Sequence, residues 1–266
     1  MEVVELLRRG ELQAAIEAAT NGVRRAPADI DQRYALVALL AMQGELDRAD
    51  SHLEAIGSLR PDLAFAVSVY RACLEAEEER RRVFAGKAEP GRPPEPSAIV
   101  DRRITLRRCL LGAGDAAAAM SACADEPPVA GTLDGRTFAA LVDHDDALGG
   151  VLEVFASGRY LWLPFANLRS LSFEPPKGLF DLLWVGCNFE DHDGRRASVH
   201  VPVLYAGSHT HADPLVRCGR KTEWSDEAGV AFRGFGPRVL RADDQEVPLL
   251  DVRRIDLTRP AGAAHG

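Results

Sequence analysis

The chain has 266 residues, of which 46% are hydrophobic and 27% charged, so it can bury one large core or two smaller ones, and its composition excludes a disordered or fibrous protein. Its 40 acidic and 32 basic side chains give a net charge of −8, which excludes a nucleic-acid binder that relies on a broad basic surface. The first five residues include two glutamates where a signal peptide is basic, and no early apolar run approaches the ~20 residues that span a bilayer. We therefore expect a cytoplasmic protein.

The first half of the chain predicts helices that repeat. Gly10 and Gly44 lie 34 residues apart, and each is followed by Glu-Leu and then by an alanine in the same position. A period of 34 is typical of tetratricopeptide hairpins, in which glycine ends one helix and a small residue lets the next helix pack closely. A weaker third copy begins at Gly114. We predict a tetratricopeptide-like helical domain over residues 1–130, with an unrelated helical array as the alternative.

The segment after the second repeat predicts one long helix followed by a loop. The helix covers residues 62–84, and its end carries a charge on every residue from 77 to 82. Such a run is typical of a solvent-exposed helix end with acid-before-base pairs, and a patch that docks a partner is the alternative. Four prolines in residues 85–96 exclude a helix there and favour an extended, exposed loop. Ser97 can then cap a further helix over residues 98–111.

The second half predicts strands. From residue 151 onward, short β-branched and aromatic runs are separated by Gly, Pro, Asn and Asp. Ser157-Gly158 between the first two runs is typical of a hairpin turn. We predict a β-rich C-terminal domain over residues 131–266, built as a small antiparallel β sheet or partly open barrel, so the whole chain is an α+β multidomain protein. The predicted strands are 151–155, 159–164, 171–173, 182–189, 198–205, 230–235, 238–240 and 247–257, and the predicted turns are 191–194 and 242–245.

The cysteines are five in number and widely spaced, which does not encode a disulfide framework or a zinc knuckle. We expect reduced thiols that are mostly buried and act as small apolar side chains. They are Cys73, Cys109, Cys123, Cys187 and Cys218.

A cluster of histidines in the second half offers the best metal candidates. Their spacing matches no known zinc pattern, and residues 191–194 satisfy turn chemistry without an ion. We therefore expect no metal site and no cofactor. The weak candidates are Cys187, His192, His200, His209 and His211.

Acid–base chemistry has one further candidate region. Asp143, Asp145 and Asp146 flank His144, and paired carboxylates beside a histidine can exchange protons with a substrate. A loop at the junction of the two halves explains the same residues without chemistry. No common catalytic motif occurs in the chain, so we assign no catalytic residue.

Aromatic side chains are the best candidates for contact with a partner protein. Most aromatic residues of a β-rich domain fill its core, but one or two can remain exposed as anchors. The candidate partner-binding residues are Tyr34, Phe65, Tyr70, Trp162, Trp184 and Trp224.

Seven blocks in the second half occur in an order that resembles the ImpE family, also called TagJ or SciE-type. The blocks are VLEV (151–154), YLWLPF (160–165), LRSL (168–171), FEPP (173–176), DLLW (181–184), VPVLYAGS (201–208) and GRKTEW (219–224). The resemblance covers residues 135–258, and the helical first half fits the family's N-terminal region. It implies a non-enzymatic accessory protein of type VI secretion that binds the small subunit of the contractile sheath, with a link to the AAA+ ATPase that dismantles the sheath.

The helical repeat independently predicts a binding role, because such arrays accept segments of partner proteins in a groove. We therefore hypothesise an adaptor whose helical half holds a sheath-subunit helix, with no nucleic acid and no membrane insertion. Two alternatives stay open. One is a metal-dependent or acid/base enzyme that uses the cluster from His192 to His211 or the region from Asp143 to Asp146; the other is a structural spacer.

Overall fold

The computed structural model describes residues 2–93, 97–227 and 229–260. Helices occupy the first half of these residues and strands the second, as the sequence predicts. None of the helices in the described part of the chain is long and apolar enough to cross a membrane. The helices are α1 Glu2–Arg8, α2 Leu12–Arg25, α3 Ile30–Gln43, α4 Leu46–Leu59, α5 Ala64–Phe84, α6 Ala98–Leu110, α7 Ala116–Ala124 and, within the β-rich half, α8 Pro214–Arg217.

The repeated glycines end helices as predicted. Gly10 separates α1 from α2 with φ of 79°, and Gly44 separates α3 from α4 with φ of 95°, a left-handed conformation that favours glycine. The alanines that follow, Ala15 and Ala49, are fully buried, so neighbouring helices approach closely. Each helix from α1 to α5 packs against the next. The prediction of stacked helical hairpins is therefore confirmed.

Both repeat glycines also contact the second half of the chain. A Cβ on Gly10 would lie 3.3 Å from atoms of Pro214 and Leu215, and a Cβ on Gly44 would lie 2.5 Å from the Cδ2 of His209. Arg81 Nη1 also donates a hydrogen bond of 2.9 Å to the Gly44 carbonyl. The hairpin turns of the helical array are thus covered by the β-rich half.

Side-chain caps begin several of the helices. Asp29 accepts a hydrogen bond from the backbone N–H of Gln32 at the start of α3, and Asp115 accepts one from the backbone N–H of Ala118 at the start of α7. Ser97 caps α6, as predicted. The loop predicted over residues 85–96 is confirmed for 85–93, where Gly91 pairs with Leu161 at the edge of the sheet; residues 94–96 lie outside the described residues.

Within the described residues, the strands form three antiparallel sheets. An open eight-stranded sheet has the order β2-β1-β13-β6-β7-β8-β4-β5, a three-stranded sheet has the order β12-β11-β3, and β9 pairs with β10. The strands are β1 Gly131–Leu133, β2 Arg136–Phe138, β3 Leu141–Asp143, β4 Val151–Ala156, β5 Arg159–Pro164, β6 Leu168–Phe173, β7 Trp184–Asp191, β8 Arg196–Pro202, β9 Glu223–Glu227, β10 Ala231–Phe235, β11 Val239–Ala242, β12 Gln245–Pro248 and β13 Arg254–Leu257.

The hairpin predicted at Ser157-Gly158 joins β4 to β5, and both residues have positive φ, as this tight turn requires. Four short strands, β1, β2, β3 and β9, were not predicted. The single strand predicted over residues 247–257 is wrong, because a 3-10 turn at Leu249–Asp251 divides it into β12 and β13, which belong to different sheets.

Helix α5 connects the two halves by packing against β4 and β5. Buried apolar residues of both halves form one continuous cluster, which includes Leu74 of α5 and Leu152 of β4. Four of the five cysteines are buried, as predicted, and Cys109 is half-buried. The division into domains at residues 130 and 131 remains a proposal, because the two predicted domains share this core.

Candidate functional site

A groove of about 620 Å³ separates the first half of α5 from the face of the eight-stranded sheet on which α5 packs. Its wall is a stripe of α5 residues at helical spacing that share one face of the helix: Phe65, Ser68, Val69 and Ala72. Its floor consists of small or polar residues of β7 and β8: Gly186, Asn188, Ser198 and His200. The turn that follows β4 closes one end. We call this cleft the α5 groove.

The strand register explains why the floor residues lie together. Gly186 pairs with His200 and Asn188 pairs with Ser198 across β7 and β8, so all four positions point to the same side of the sheet. A Cβ on Gly186 would meet no atom within 4 Å, so the missing side chain deepens the groove. Ser198 Oγ donates a hydrogen bond of 2.5 Å to Asn188 Oδ1.

Strands β4 and β8 diverge beside the groove. Within the described residues, β4 and β8 share a single pair of bridged residues, Phe155 and His200. Strand β4 ends one residue later, at Ala156. Strand β8 extends further, to Arg196, and pairs with β7 along its whole length. From Arg196 to Val199, β8 therefore has a neighbouring strand on its β7 side and, within the described residues, none on its β4 side.

Two carboxylates border the α5 groove. Glu174 lines it and accepts a hydrogen bond of 3.1 Å from Lys177 Nζ. Glu75 approaches from α5, with its Oε2 only 2.6 Å from the place that a Cβ on Gly158 would take. Burial lowers the pKa of His200, so the imidazole at the floor is neutral near pH 7. The groove is therefore apolar along α5 and at Phe155 and Val199, and it carries hydrogen-bonding and acidic groups over the rest of its lining.

An aromatic cluster fixes α5 against α3 and the sheet. The rings of Tyr70 and Phe180 stack with centroids 3.8 Å apart, and Tyr34 meets Tyr70 edge-on at 5.8 Å. Phe180 also stacks on Trp184 at 6.2 Å. These contacts pack the end of the sheet against two helices of the array.

A buried charge network fixes the second half of α5. Arg80 Nε and Nη2 donate hydrogen bonds of 2.8 and 2.9 Å to the Glu153 carboxylate. Arg238 also bonds Glu153 and, through its other terminal nitrogen, Asp143. Tyr160 donates a hydrogen bond to Glu153. Arg80, Glu153, Arg238 and Asp143 are all buried.

This network corrects the prediction that residues 77–82 form a solvent-exposed helix end. Arg80 and Glu77 are buried, because Arg80 crosses the interface between the helical array and the sheet. Burial alone would raise the pKa of Glu153, but Arg80 and Arg238 outweigh it and lower that pKa to about 2. Glu153 is therefore ionised and fully paired near pH 7.

The carboxylates that suggested acid–base chemistry have structural partners. Burial raises the pKa of Asp143 to about 6, against the opposing effect of Arg238. Asp145 pairs with Arg233 Nε at 3.3 Å and accepts a backbone hydrogen bond of 3.1 Å from Gly234. Neither carboxylate reaches solvent, so neither is placed to meet a substrate.

The other two residues of that region also have partners. Asp146 accepts a backbone hydrogen bond of 2.8 Å from Phe232. The ring of His144 packs on Trp224 with centroids 4.5 Å apart and lies 3.4 Å from a carboxylate oxygen of Glu246.

The five metal candidates have different surroundings. Cys187 is buried, and burial raises the pKa of its thiol to about 12. His209 packs against Gly44, and His211 lies 3.4 Å from Glu223. In residues 2–93, 97–227 and 229–260, no three His, Cys, Asp or Glu side chains converge on a common point that suits a metal ion. His200 and Cys187 both line the α5 groove, whereas His192, His209 and His211 do not.

The predicted partner-binding residues divide by exposure. Phe65 is 82% exposed at the rim of the α5 groove. Tyr34, Tyr70 and Trp224 are half-buried. Trp162 and Trp184 are 0% and 4% exposed, so neither indole can contact a partner in this structure, and we keep only the other four as predicted contact residues.

Sequence patterns did not reveal Glu153, Arg238 or, apart from His200, the groove floor. A signal for Glu153 exists, because it is the one charged residue in the apolar strand Val151–Ala156, and an isolated charge there requires a buried partner. The floor carries no comparable signal.

Three comparisons place the chain among known proteins. The family model described as ImpE protein matches residues 135–256. Over 257 residues, the chain is 38% identical to the type VI secretion system accessory component TagJ of Pseudomonas aeruginosa. The aligned region covers 95% of this chain and 89% of that relative. The fold also matches a crystal structure of a Vibrio parahaemolyticus protein, with a TM-score of 0.86 over 98% of this chain and 99% of that one. The two sequences are only 21% identical, so this likeness shows the fold alone.

Proposed function

The chain belongs to the ImpE family, which includes the type VI secretion accessory component TagJ, and from this premise we propose that it is a non-enzymatic adaptor of a type VI secretion system. It acts in the cytoplasm and binds the small subunit of the contractile sheath. It also links that subunit to the AAA+ ATPase that dismantles the sheath. Residues 1–130 and 131–266 act as two domains of this adaptor.

The observation that carries the proposal is the extent of the likeness. The identity of 38% extends over 95% of the chain, so it includes the helical array as well as the ImpE segment. The α5 groove supports a binding role, because it is an open, largely apolar cleft beside the exposed ring of Phe65.

The enzyme alternative has weaker support from the same geometry. The carboxylates of Asp143 and Asp145 are enclosed and paired with arginines, and catalysis needs a group within hydrogen-bonding reach of the substrate. His209 packs against Gly44 and does not line the groove.

The test uses the full chain and the purified small sheath subunit from the same secretion system. Isothermal titration calorimetry should detect a saturable complex with a micromolar or lower Kd, and the ATPase should then join the complex on a size-exclusion column. A structural spacer would give no complex at micromolar concentration. An enzyme would show a saturable small-molecule ligand and lose turnover in His209→Ala, and either of these results would contradict the adaptor.

A further inference from the structure

We propose that the α5 groove binds an extended segment of a partner protein, which pairs with the open edge of β8 and adds a strand to the sheet. On the side that faces α5, the segment carries apolar residues in its middle and lysine or arginine at its ends. This inference rests on the proposed function only in taking the partner to be a protein of the secretion machinery; the pairing itself is a property of this chain.

The open edge supplies the main-chain groups for pairing. Strand β8 continues from His200 back to Arg196 after β4 has turned away at Ser157 and Gly158. Along this stretch, the structure describes β7 as the one strand beside β8. Unpaired main-chain donors and acceptors at a strand edge are a template for an added strand.

The available length suits a short strand. At about 3.3 Å per residue, the four residues from Arg196 to Val199 extend for roughly 13 Å. An added strand would occupy the line that β4 vacates, at the end of the groove marked by Ser157 and Gly158.

The wall of the groove determines which side chains fit. Successive side chains of a strand point to opposite faces, so every second residue of the added segment would point towards α5. There it would meet Phe65, Val69 and Ala72, which favour apolar partners. A helix would also cover this apolar wall, but its main chain is already paired internally and would leave the β8 edge open.

Charge favours lysine or arginine at the ends of the segment, among the side chains that point towards α5, because the carboxylates that border the groove lie on that side of the sheet. Glu174 lines the groove and Glu75 borders its end at Gly158. The ion pair of Glu174 with Lys177 is exposed, so an incoming lysine or arginine can replace it at little cost. The overall charge of −8 also favours a basic segment.

The first test uses a probe peptide that does not depend on the sheath. An acetylated and amidated heptapeptide, Lys-Thr-Val-Thr-Val-Thr-Lys, places both valines and both lysines on one face of the strand. It is titrated into the full-length, isotope-labelled protein up to millimolar concentration. We expect shifts over residues 196–199 and slowed hydrogen exchange at every second amide of this stretch, namely those that face the open edge rather than β7. A twin peptide with an N-methyl group on every residue lacks the main-chain N–H donors, and its methyl groups obstruct both edges, so it should not bind. Absence of binding, or equal binding of both peptides, would overturn strand addition.

A pair of matched variants locates the site. Ser198 points into the groove, whereas Ala197, the preceding residue of β8, points to the other side of the sheet and is also exposed. Ser198→Trp should weaken peptide binding at least about tenfold, and Ala197→Trp should leave it nearly unchanged. Equal effects of the two substitutions would place the peptide elsewhere and contradict the proposal.

The second test separates this inference from the proposed function. Hydrogen exchange is measured on the full chain with and without the small sheath subunit. A stable complex that leaves exchange at residues 196–199 unchanged would retain the adaptor and overturn strand addition there. Peptide pairing at β8 without any sheath complex would retain the inference and overturn the sheath as partner.

Discussion

Replacement of Glu153 by glutamine tests the buried charge network directly. The substitution keeps the shape of the side chain and removes the charge that Arg80 and Arg238 share. Both guanidinium groups are fully enclosed, so neither can be rehydrated in the folded protein. Removing one partner of a buried ion pair costs about 3–5 kcal/mol, which is a large part of the roughly 5–15 kcal/mol that stabilises a typical domain.

The pKa of Glu153 gives a second route to the magnitude. It lies at about 2 in the folded protein against an ordinary value of 4.5, and each unit corresponds to about 1.4 kcal/mol, so the charge contributes about 3 kcal/mol. Because the folded pKa is depressed, this stabilisation is present above pH 4.5 and is lost as the pH falls towards 2. The difference between wild type and Glu153→Gln should therefore shrink over that range.

Asp143 should act in the opposite direction. Its pKa is raised from 3.8 to about 6, so its contribution is fully present below pH 3.8 and is lost as the pH rises through 6. The free energy of unfolding of the wild type relative to Asp143→Asn should therefore increase as the pH falls from about 7 to about 5, before Glu153 begins to lose its contribution. The lowered pKa of His200 acts in the opposite direction, but equally in both proteins, so it cancels in this difference.

The assay is urea unfolding followed by circular dichroism over a series of pH values. Glu89→Gln is the matched control, because Glu89 also contacts two arginines, Arg92 and Arg108, but its side chain is 40% exposed. The control should lose no more than about 1 kcal/mol at any pH. Two results would refute this reasoning. The first is a loss of unfolding free energy in Glu153→Gln that is no larger than the loss in the control near pH 7. The second is a loss in Glu153→Gln that stays constant down to about pH 3.

Two further substitutions probe the array and the groove. Gly44→Ala should lower the free energy of unfolding by about 1–3 kcal/mol in urea titrations, because φ is 95° and the new Cβ would lie 2.5 Å from His209. Gly57→Ala, in the last turn of α4, should instead be neutral or stabilising by up to about 1 kcal/mol, and a reversed order would contradict this account. Phe65→Ala should change the free energy of unfolding by less than about 0.5 kcal/mol but should weaken binding of the small sheath subunit, measured by calorimetry, roughly 10- to 100-fold. Phe232→Ala, at another exposed phenylalanine, should leave that binding unchanged. Similar binding by both variants would show that Phe65 is not part of the interface.

The sequence predicted the elements whose determinants are local. Gly10 and Gly44 revealed the helical hairpins, because a left-handed helix end depends on the residue that occupies it. Ser157 and Gly158 revealed the β4–β5 hairpin for the same reason. Strand β1, Gly131–Leu133, was missed because three residues show no periodicity, and its pairing with β13 joins residues more than a hundred positions apart.

The candidate site was only partly predictable. Phe65 was named as a contact residue from its type, but the groove beside it exists because α5 lies over β7 and β8, and no local pattern reports that placement. Arg80 shows the limit most clearly. Its neighbours in the sequence are charged and indicate exposure, whereas its partner Glu153 lies 73 positions away in the chain. Side chains that join distant elements are hidden from local patterns.

The charge network and the α5 groove are connected through one helix. Apolar packing is non-directional and would let α5 shift along the sheet, whereas the paired hydrogen bonds from Arg80 to Glu153 fix both its distance and its register. Phe65 lies about four turns before Arg80, on the part of α5 that forms the groove wall. The width of the groove therefore depends on a contact about 20 Å away along the helix, and a variant that weakens the network should change partner binding as well as stability.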